Sequence, residues 1–161
     1  MTQMHTISAL ARNNPGVLAD MAQAIRKYNV NIRSLSAGET EDPGVSRLTI
    51  GLDGSEDDIA RITAEMQHMG CIISVDDLRR RDFVDRELVL VKLAMEPAAT
   101  TQIMQIFEVF RANVVGMGQK SITAEMSGDS GKVDAFIGML KPHGIKSLCR
   151  SGMIALKRGD E

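Results

Sequence analysis

Residues 5–28 of the chain read HTISALARNNPGVLADMAQAIRKY and contain a strand, a turn and a helix in succession. Apolar and polar residues alternate over residues 5–11, which is typical of a strand with one buried face. The turn residues at 13–16 end this run. The apolar side chains that follow recur at helical spacing: Leu18, Met21, Ile25 and Tyr28.

The residues after this stretch extend it to a βαββαβ unit. Residues 31–38 and 45–52 flank the turn signal at 41–44 and predict a hairpin. Ser55 and Asp58 resemble a capping box that starts a second helix. Its apolar stripe ends at Gly70, before a strand predicted for residues 71–75, and consists of Ile59, Ile62, Met66 and Met69.

The second half of the chain repeats this order of elements. Glu87 lies 82 positions after His5 and Asn113 lies 82 positions after Asn31, which indicates an internal duplication. The repeat predicts strands at 88–93, near 113, at 122–126 and within 145–156, with helices carrying Phe107 and Phe136 between them. We therefore expect an α+β protein of two ferredoxin-like βαββαβ domains, each an antiparallel sheet with both helices on one face.

A charged segment separates the two halves. Residues 79–86 include four arginines that are costly to bury, so they are predicted to be a linker between domains at 1–78 and 87–161. An exposed sheet edge in domains of this size favours pairing with a second copy, and we expect a homodimer.

Composition excludes several classes of protein. The formal net charge is -2 and both signs are mixed along the chain, so no positive field for nucleic acid is expected. No apolar run is long enough to cross a bilayer and no leader is evident, so we expect a soluble cytoplasmic protein without a membrane partner. The βαββαβ order also suits RNA recognition modules, but Phe107, Phe110 and Phe136 lie on predicted helices rather than on the sheet.

Catalytic and metal-binding patterns are also missing from the sequence. The three histidines His5, His68 and His143 lack metal-ligand spacing and are expected to be solvated. Cys71 and Cys149 lie in apolar runs and are expected to be buried thiols. The carboxylates at 56–58 suit the first turn of a helix better than general acid and base catalysis. We expect neither catalysis nor a bound metal.

The loop at residues 13–16 has two interpretations. Free N–H groups at the start of a helix bind anions, and Gly16 would let a small carboxylate approach them. The Asn13 and Asn14 amides suit a zwitterion, because an amide offers both a donor and an acceptor. Alternatively Asn14 caps the helix and Pro15 takes its first position. The residues of the loop leave both interpretations open.

Six segments of the chain resemble the acetolactate synthase small-subunit family, in the same order and across both halves: residues 13–18, 31–35, 42–50, 86–92, 130–136 and 150–152. The resemblance implies an N-terminal ACT domain that binds an amino acid and a ferredoxin-like C-terminal domain. It also implies a homodimer with the effector held between two ACT domains.

In this family the small subunit activates a catalytic large subunit, and the end product valine reverses the activation. Thiamine diphosphate, magnesium and FAD belong to the large subunit, so no cofactor is expected in this chain. The resemblance implies that one protomer contributes Asn13, Asn14, Gly16, Val17 and Leu18, and that the other contributes Asn31 and Ile32.

Three residues depart from the family pattern. Asn29 and Val30 stand where many relatives have a glycine and an aromatic residue, and Arg33 replaces a common acidic residue. Two other functions remain open from the sequence. One is a free-standing double-ACT sensor of a transcriptional or signalling system, and the other is a small ferredoxin-like enzyme.

Overall fold

The computed structural model describes residues 3–80 and 82–160, which form two compact units. Unit 1 comprises the chain up to Val84 and again from Met153 onward, and unit 2 comprises Asp85–Gly152. The elements within residues 3–80 are β1 (Gln3–Arg12), α1 (Val17–Arg26), β2 (Asn31–Glu39), β3 (Val45–Gly54), α2 (Glu56–Gln67), β4 (Ile72–Asp77) and a 3₁₀ helix (Leu78–Arg80).

The remaining elements are β5 (Phe83–Ala94), α3 (Pro97–Phe110), β6 (Asn113–Met117), β7 (Ser121–Gly128), α4 (Ser130–Leu140), a second 3₁₀ helix (Lys141–His143), β8 (Ile145–Arg150) and β9 (Ile154–Lys157). The strand orders are β2-β3-β1-β4 and β6-β7-β5-β8, and β9 pairs with β5. The ladders within each four-stranded order are antiparallel. The predicted pair of βαββαβ folds is confirmed.

The core of unit 1 lies between its sheet and its two helices, because alternate strand residues and one face of each helix are apolar. The central strands contribute Ile7 and Ile50, which are fully buried, and α2 contributes Ile62 and Met66. Ser55 caps α2 by accepting a hydrogen bond from the Asp58 N–H, as predicted.

The core of unit 2 is centred on an aromatic cluster. Phe136 on α4 is fully buried. Its ring centroid lies 6.1 Å from that of Phe107 and 5.3 Å from that of Phe110, both on α3. Asp129 caps α4 by accepting from the Lys132 N–H at 2.8 Å. The aromatic residues therefore stabilise helix packing, as their spacing predicted.

The two units differ from the predicted domain boundaries at the end of the chain. Residues from 153 onward were assigned to the second domain, yet Met153 and Ala155 pack against Leu78 and Phe83 in unit 1. The segment predicted as a linker, 79–86, continues the first 3₁₀ helix and enters β5, while its Arg81 lies outside the described residues. Apolar side chains on both segments account for the difference.

Two polar residues were misplaced by sequence reasoning. His5 was expected to be solvated, but its side chain is 1% exposed. The alternation that predicts β1 puts His5 on the same face as Ile7, so it is buried beneath α2. Cys149 was expected to be buried, but it is exposed on β8. Its register partner is the exposed Leu90, so both lie on the sheet face that α3 and α4 leave open.

Candidate functional site

The loop between β1 and α1 is held against the β2–β3 turn by Asn13. The Asn13 N–H donates to the Gly44 carbonyl at 2.8 Å, and its Nδ2 donates to Pro43 O at 2.9 Å and Glu39 Oε1 at 3.0 Å. These bonds use both amide hydrogens. Asn13 therefore fixes the loop and keeps Oδ1 as its acceptor, whereas donation to a ligand carboxylate would require exchange of one bond.

Gly16 is the N-cap of α1 and has a left-handed backbone with φ of 91°. No side chain among the described residues caps this end, and the helix begins at Val17. The alternative in which Asn14 caps α1 and Pro15 is its first residue is therefore wrong. A Cβ added at Gly16 would lie more than 4 Å from every atom of the described residues that could contact it. The space next to Gly16 is therefore open, and a small anion could approach the start of α1 there, where the first-turn N–H groups of a helix lack partners within the helix.

The two residues after Gly16 have different surroundings. Val17 is 8% exposed and belongs to the core of unit 1, so only its backbone is positioned to contact a ligand. Leu18 is 47% exposed, although its helical spacing had suggested a core position. Its side chain is available beside the uncapped helix end. Asn14 is also exposed.

Asn31 and Ile32 lie at the opposite end of the sheet from this loop. Asn31 pairs with Asp53, whereas Glu39, which contacts Asn13, pairs with Ser46. The length of β2 separates the two groups by about 26 Å, at roughly 3.3 Å per residue. One chain therefore does not bring all the predicted residues together.

The beginning of β2 borders an open groove. Asn31 and Ile32 line a cavity of about 340 Å³ with Ala22, Ile25 and Arg26 of α1 and the connecting residues Asn29 and Val30. Arg33 Nη1 lies 3.4 Å from Asp53 Oδ2 on the neighbouring strand. The departures from the family pattern, Asn29, Val30 and Arg33, thus lie in or next to this groove.

A cluster of polar side chains lies just after α1, next in sequence to the groove residues Asn29 and Val30. Tyr28 donates its phenolic hydrogen bond to Glu65 Oε2 at 2.8 Å, and Lys27 forms an ion pair with the same carboxylate. The hydrogen bonds from Lys27, which has the larger effect, and from Tyr28 hold the pKa of Glu65 below its ordinary value. The same carboxylate raises the pKa of Tyr28. The cluster ties α1 to α2 just before β2.

Glu39 is a potential binding residue that sequence reasoning missed. It lies at the end of β2 and accepts from Asn13, so a carboxylate stands beside the loop. The bond joins residues 26 positions apart, and no local pattern in the sequence indicates it.

The described residues form neither a metal-binding cluster nor a membrane-spanning helix. Within residues 3–80 and 82–160, no group of three or more His, Cys, Asp or Glu side chains is placed to hold a metal ion. In the same part of the chain, no helix combines the length and apolar character needed to cross a bilayer.

Comparison with known proteins identifies both halves. Residues 7–74 match the model of the AHAS small subunit-like ACT domain, and residues 86–159 match the model of the small subunit of acetolactate synthase. The chain is 37% identical over 151 residues to the acetolactate synthase small subunit of Bacillus subtilis, covering 92% of this chain and 87% of that one.

Two further proteins support the same grouping. The acetolactate synthase small subunit of Mycobacterium bovis is 34% identical over 155 residues, covering 96% of this chain and 92% of its own. The crystal structure of the acetolactate synthase small subunit from Thermotoga maritima superposes with a TM-score of 0.86 at 29% identity, covering 99% of both chains. The chain therefore belongs to the acetolactate synthase small-subunit family, and its first unit is an ACT-type regulatory domain.

Proposed function

We propose that this chain activates the catalytic large subunit of acetolactate synthase in branched-chain amino acid biosynthesis and makes that enzyme sensitive to valine. Thiamine diphosphate, magnesium and FAD would be held by the large subunit, and this chain would contribute no catalytic group. The observation that carries the proposal is the start of α1 at Gly16 in an ACT-type domain, where the described residues supply no side-chain cap and the space next to Gly16 is open.

The edge strand β2 supports a homodimer. Among the described strands it pairs with β3 alone, so its other edge presents backbone donors and acceptors for a further strand. Leu35 at its centre is 39% exposed. Antiparallel pairing of two copies of β2 about Leu35 would bring Asn31 of the partner subunit next to Glu39 and the Asn13 loop. Two equivalent pockets would result, each built from both chains.

Valine suits the groups that such pairing would assemble. The first-turn N–H groups of α1 would receive the carboxylate, and Glu39 or Asn13 Oδ1 would accept from the ammonium group. The isopropyl group would contact Leu18 of the chain that provides the loop and Ile32 of the partner subunit. Discrimination among branched-chain amino acids would depend on about 1 to 3 kcal/mol per methylene in this apolar part.

Reconstitution with a purified large subunit tests the proposal. Acetolactate formation should rise when this chain is added and fall back when valine is added, while this chain alone should give no product. A folded chain that leaves the large subunit unchanged would contradict the proposal. Valine binding without any effect on that enzyme would instead support a free-standing sensor.

Mixed dimers test whether each pocket uses both chains. One dimer would pair a Gly16→Asp chain with an Asn31→Ala chain, and the other would pair a doubly substituted chain with wild type. If each pocket combines the loop of one chain with β2 of the other, the first dimer keeps one intact pocket and the second keeps none. The reverse result in calorimetric titration would place each pocket within one chain.

A further inference from the structure

His5 is a buried imidazole whose hydrogen-bonding capacity is not used by the residues that the structure describes. It is 1% exposed, and neither ring nitrogen forms a hydrogen bond within the described part of the chain. The nearest carboxylate oxygen, Asp77 Oδ2, lies 3.6 Å from Nδ1, which is too long for a hydrogen bond. Buried polar groups in native proteins are nearly always satisfied, so His5 indicates a missing partner.

The imidazole lines a cavity of about 230 Å³ between α2 and the β1–β4 edge of the sheet. The lining residues on α2 recur at helical spacing and present two methyl groups and two polar side chains to the cavity: Ala60, Thr63, Ala64 and Gln67. Glu56 and Arg79, which pair with each other, stand at the same cavity. The cavity is distant along the sheet from the Gly16 loop, because His5 pairs with Leu52 and Arg12 pairs with Val45.

Unit 2 shows what fills the equivalent position there. Glu87, at the position of His5 in the repeat, is 5% exposed and receives the Arg150 guanidinium at 2.6 and 2.8 Å. Arg150 pairs with Val89 on β5 as Asp77 pairs with Ile7 on β1, so Arg150 and Asp77 occupy matching places. Each half of the chain thus has two ionisable side chains at the same position of the βαββαβ repeat, namely His5 with Asp77 in unit 1 and Glu87 with Arg150 in unit 2.

The remaining space also differs between the repeats. Asp134 stands five residues after the α4 N-cap and binds Arg150 Nη1 at 2.8 Å. Ala60 stands five residues after the α2 N-cap and presents only a methyl group. A cationic donor therefore fills this position in unit 2, whereas unit 1 has an open cavity beside a carboxylate and an imidazole.

Besides the Arg79–Glu56 ion pair and the Gln67 amide, the polar groups that face the cavity in unit 1 are mainly acceptors. Asp77 Oδ1 accepts from the Arg79 N–H at 3.1 Å, and Oδ2 is the oxygen nearest His5. A neutral imidazole adds one acceptor and one donor. Thr63 donates its hydroxyl hydrogen to Ile59 O at 2.8 Å, so the hydroxyl can only accept from a ligand. A positively charged N–H donor complements this set.

We propose that this cavity binds the ammonium group of a small organic molecule, with Asp77 and His5 accepting from it and the alanine methyl groups contacting its aliphatic part. This site is separate from the proposed valine pocket and uses none of its residues. The ammonium group could belong to a simple amine or to an amino acid whose carboxylate meets Arg79.

Nuclear magnetic resonance of the full chain with isotope-labelled histidine tests the site. The ring signals of His5 are assigned with His68→Asn and His143→Asn, and pH is fixed at about 8, where unperturbed histidines are neutral. The probes are n-propylammonium, alanine and tetramethylammonium chloride. Saturable shifts of the His5 signals with n-propylammonium, alanine or both are expected, and the comparison tells an amine from an amino acid. Tetramethylammonium carries the same charge without an N–H donor and should leave His5 unchanged.

Substitutions separate the proposed contacts from general effects. Asp77→Asn should weaken binding at least tenfold, whereas Asp76→Asn, on the neighbouring residue that pairs with Lys157, should not. Ala60→Leu keeps every charge but fills the cavity, and it should also abolish the shifts. This second variant tests the site even if Asp77→Asn fails to fold. Gly16→Asp should retain ammonium binding, so failure of the valine proposal would be distinguishable.

Three results would overturn the proposal. They are the absence of a saturable His5 shift with both N–H donors, an equal response to tetramethylammonium, and unchanged affinity in folded Asp77→Asn and Ala60→Leu chains.

Discussion

Substitution of Gly16 by aspartate and by asparagine separates charge from backbone strain at the proposed valine pocket. Both side chains have nearly the same shape, and an added Cβ meets nothing within 4 Å, so neither substitution should clash in the free protein. The backbone φ of 91° is left-handed, which costs a non-glycine residue about 1 to 2 kcal/mol. Asparagine and aspartate tolerate this conformation better than other residues.

The difference between the two variants should come from the carboxylate. In Gly16→Asp it would occupy the position of the ligand carboxylate and repel it. Loss of one charge-assisted hydrogen bond costs about 1.5 to 3 kcal/mol, which exceeds the roughly 1.4 kcal/mol of a tenfold change in affinity. We expect Gly16→Asp to weaken valine binding more than tenfold and Gly16→Asn to weaken it less.

Calorimetric titration with valine, thermal denaturation and activity with the large subunit provide the three measurements. Both variants should melt as folded proteins and should still activate the large subunit, while Gly16→Asp resists valine. Unchanged valine binding in folded Gly16→Asp would remove this loop from the pocket. Equal losses in both variants would refute the role of charge, and loss of activation with inhibition would make Gly16 a structural turn residue.

Three further predictions concern stability. Phe136→Ala should destabilise unit 2 by about 3 to 5 kcal/mol in denaturant unfolding, because the ring is fully buried against two others. Glu65→Gln should lower the melting temperature at neutral pH, and this difference from wild type should shrink in acid. Because the pKa of Glu65 is lowered from 4.5 in the folded protein, the carboxylate contributes its full stabilisation above pH 4.5 and loses it as the pH falls through the folded pKa. Equal effects at pH 7 and 3 would contradict this. Deletion of residues 153–161 should destabilise unit 1 by about 2 kcal/mol or more, because Leu78 loses its contacts with Met153 and Ala155 and becomes exposed. An unchanged unfolding midpoint would show that these contacts do not stabilise unit 1.

Local patterns predicted most of the fold. Alternation located β1 and β3, and the Ser55 capping box located the start of α2 to within a residue. Helical spacing identified Phe107 and Phe136 as core residues. These features succeed because burial on one face imposes a period on the sequence. The N-cap of α1 was harder, since Asn14, Pro15 and Gly16 are all favourable there and only the backbone at Gly16 decides.

Features that depend on distant residues were not predictable. Met153 and Ala155 pack on Leu78 because two short apolar segments meet that are far apart in sequence, and no local period indicates this contact. The contact between Asn13 and Glu39 depends on strand register in the same way. His5 follows the alternation of β1, but histidine occurs both inside and at the surface, so its type did not settle its burial.

The return of β9 to unit 1 makes that unit discontinuous in sequence and affects the order in which the chain can fold. During synthesis all of unit 2 leaves the ribosome before the segment from Met153 onward, so unit 1 cannot finish folding until after unit 2 has been made. Joining Val84 to Met153 across a disordered insertion would cost about 4 kcal/mol in the length-dependent part of loop closure. Folded unit 2 removes much of this cost, because the Ser151 N–H donates to Leu88 O at 2.9 Å and brings the ends of the insertion together. Early folding of unit 2 would therefore hold the two segments of unit 1 close together and speed the folding of the regulatory domain.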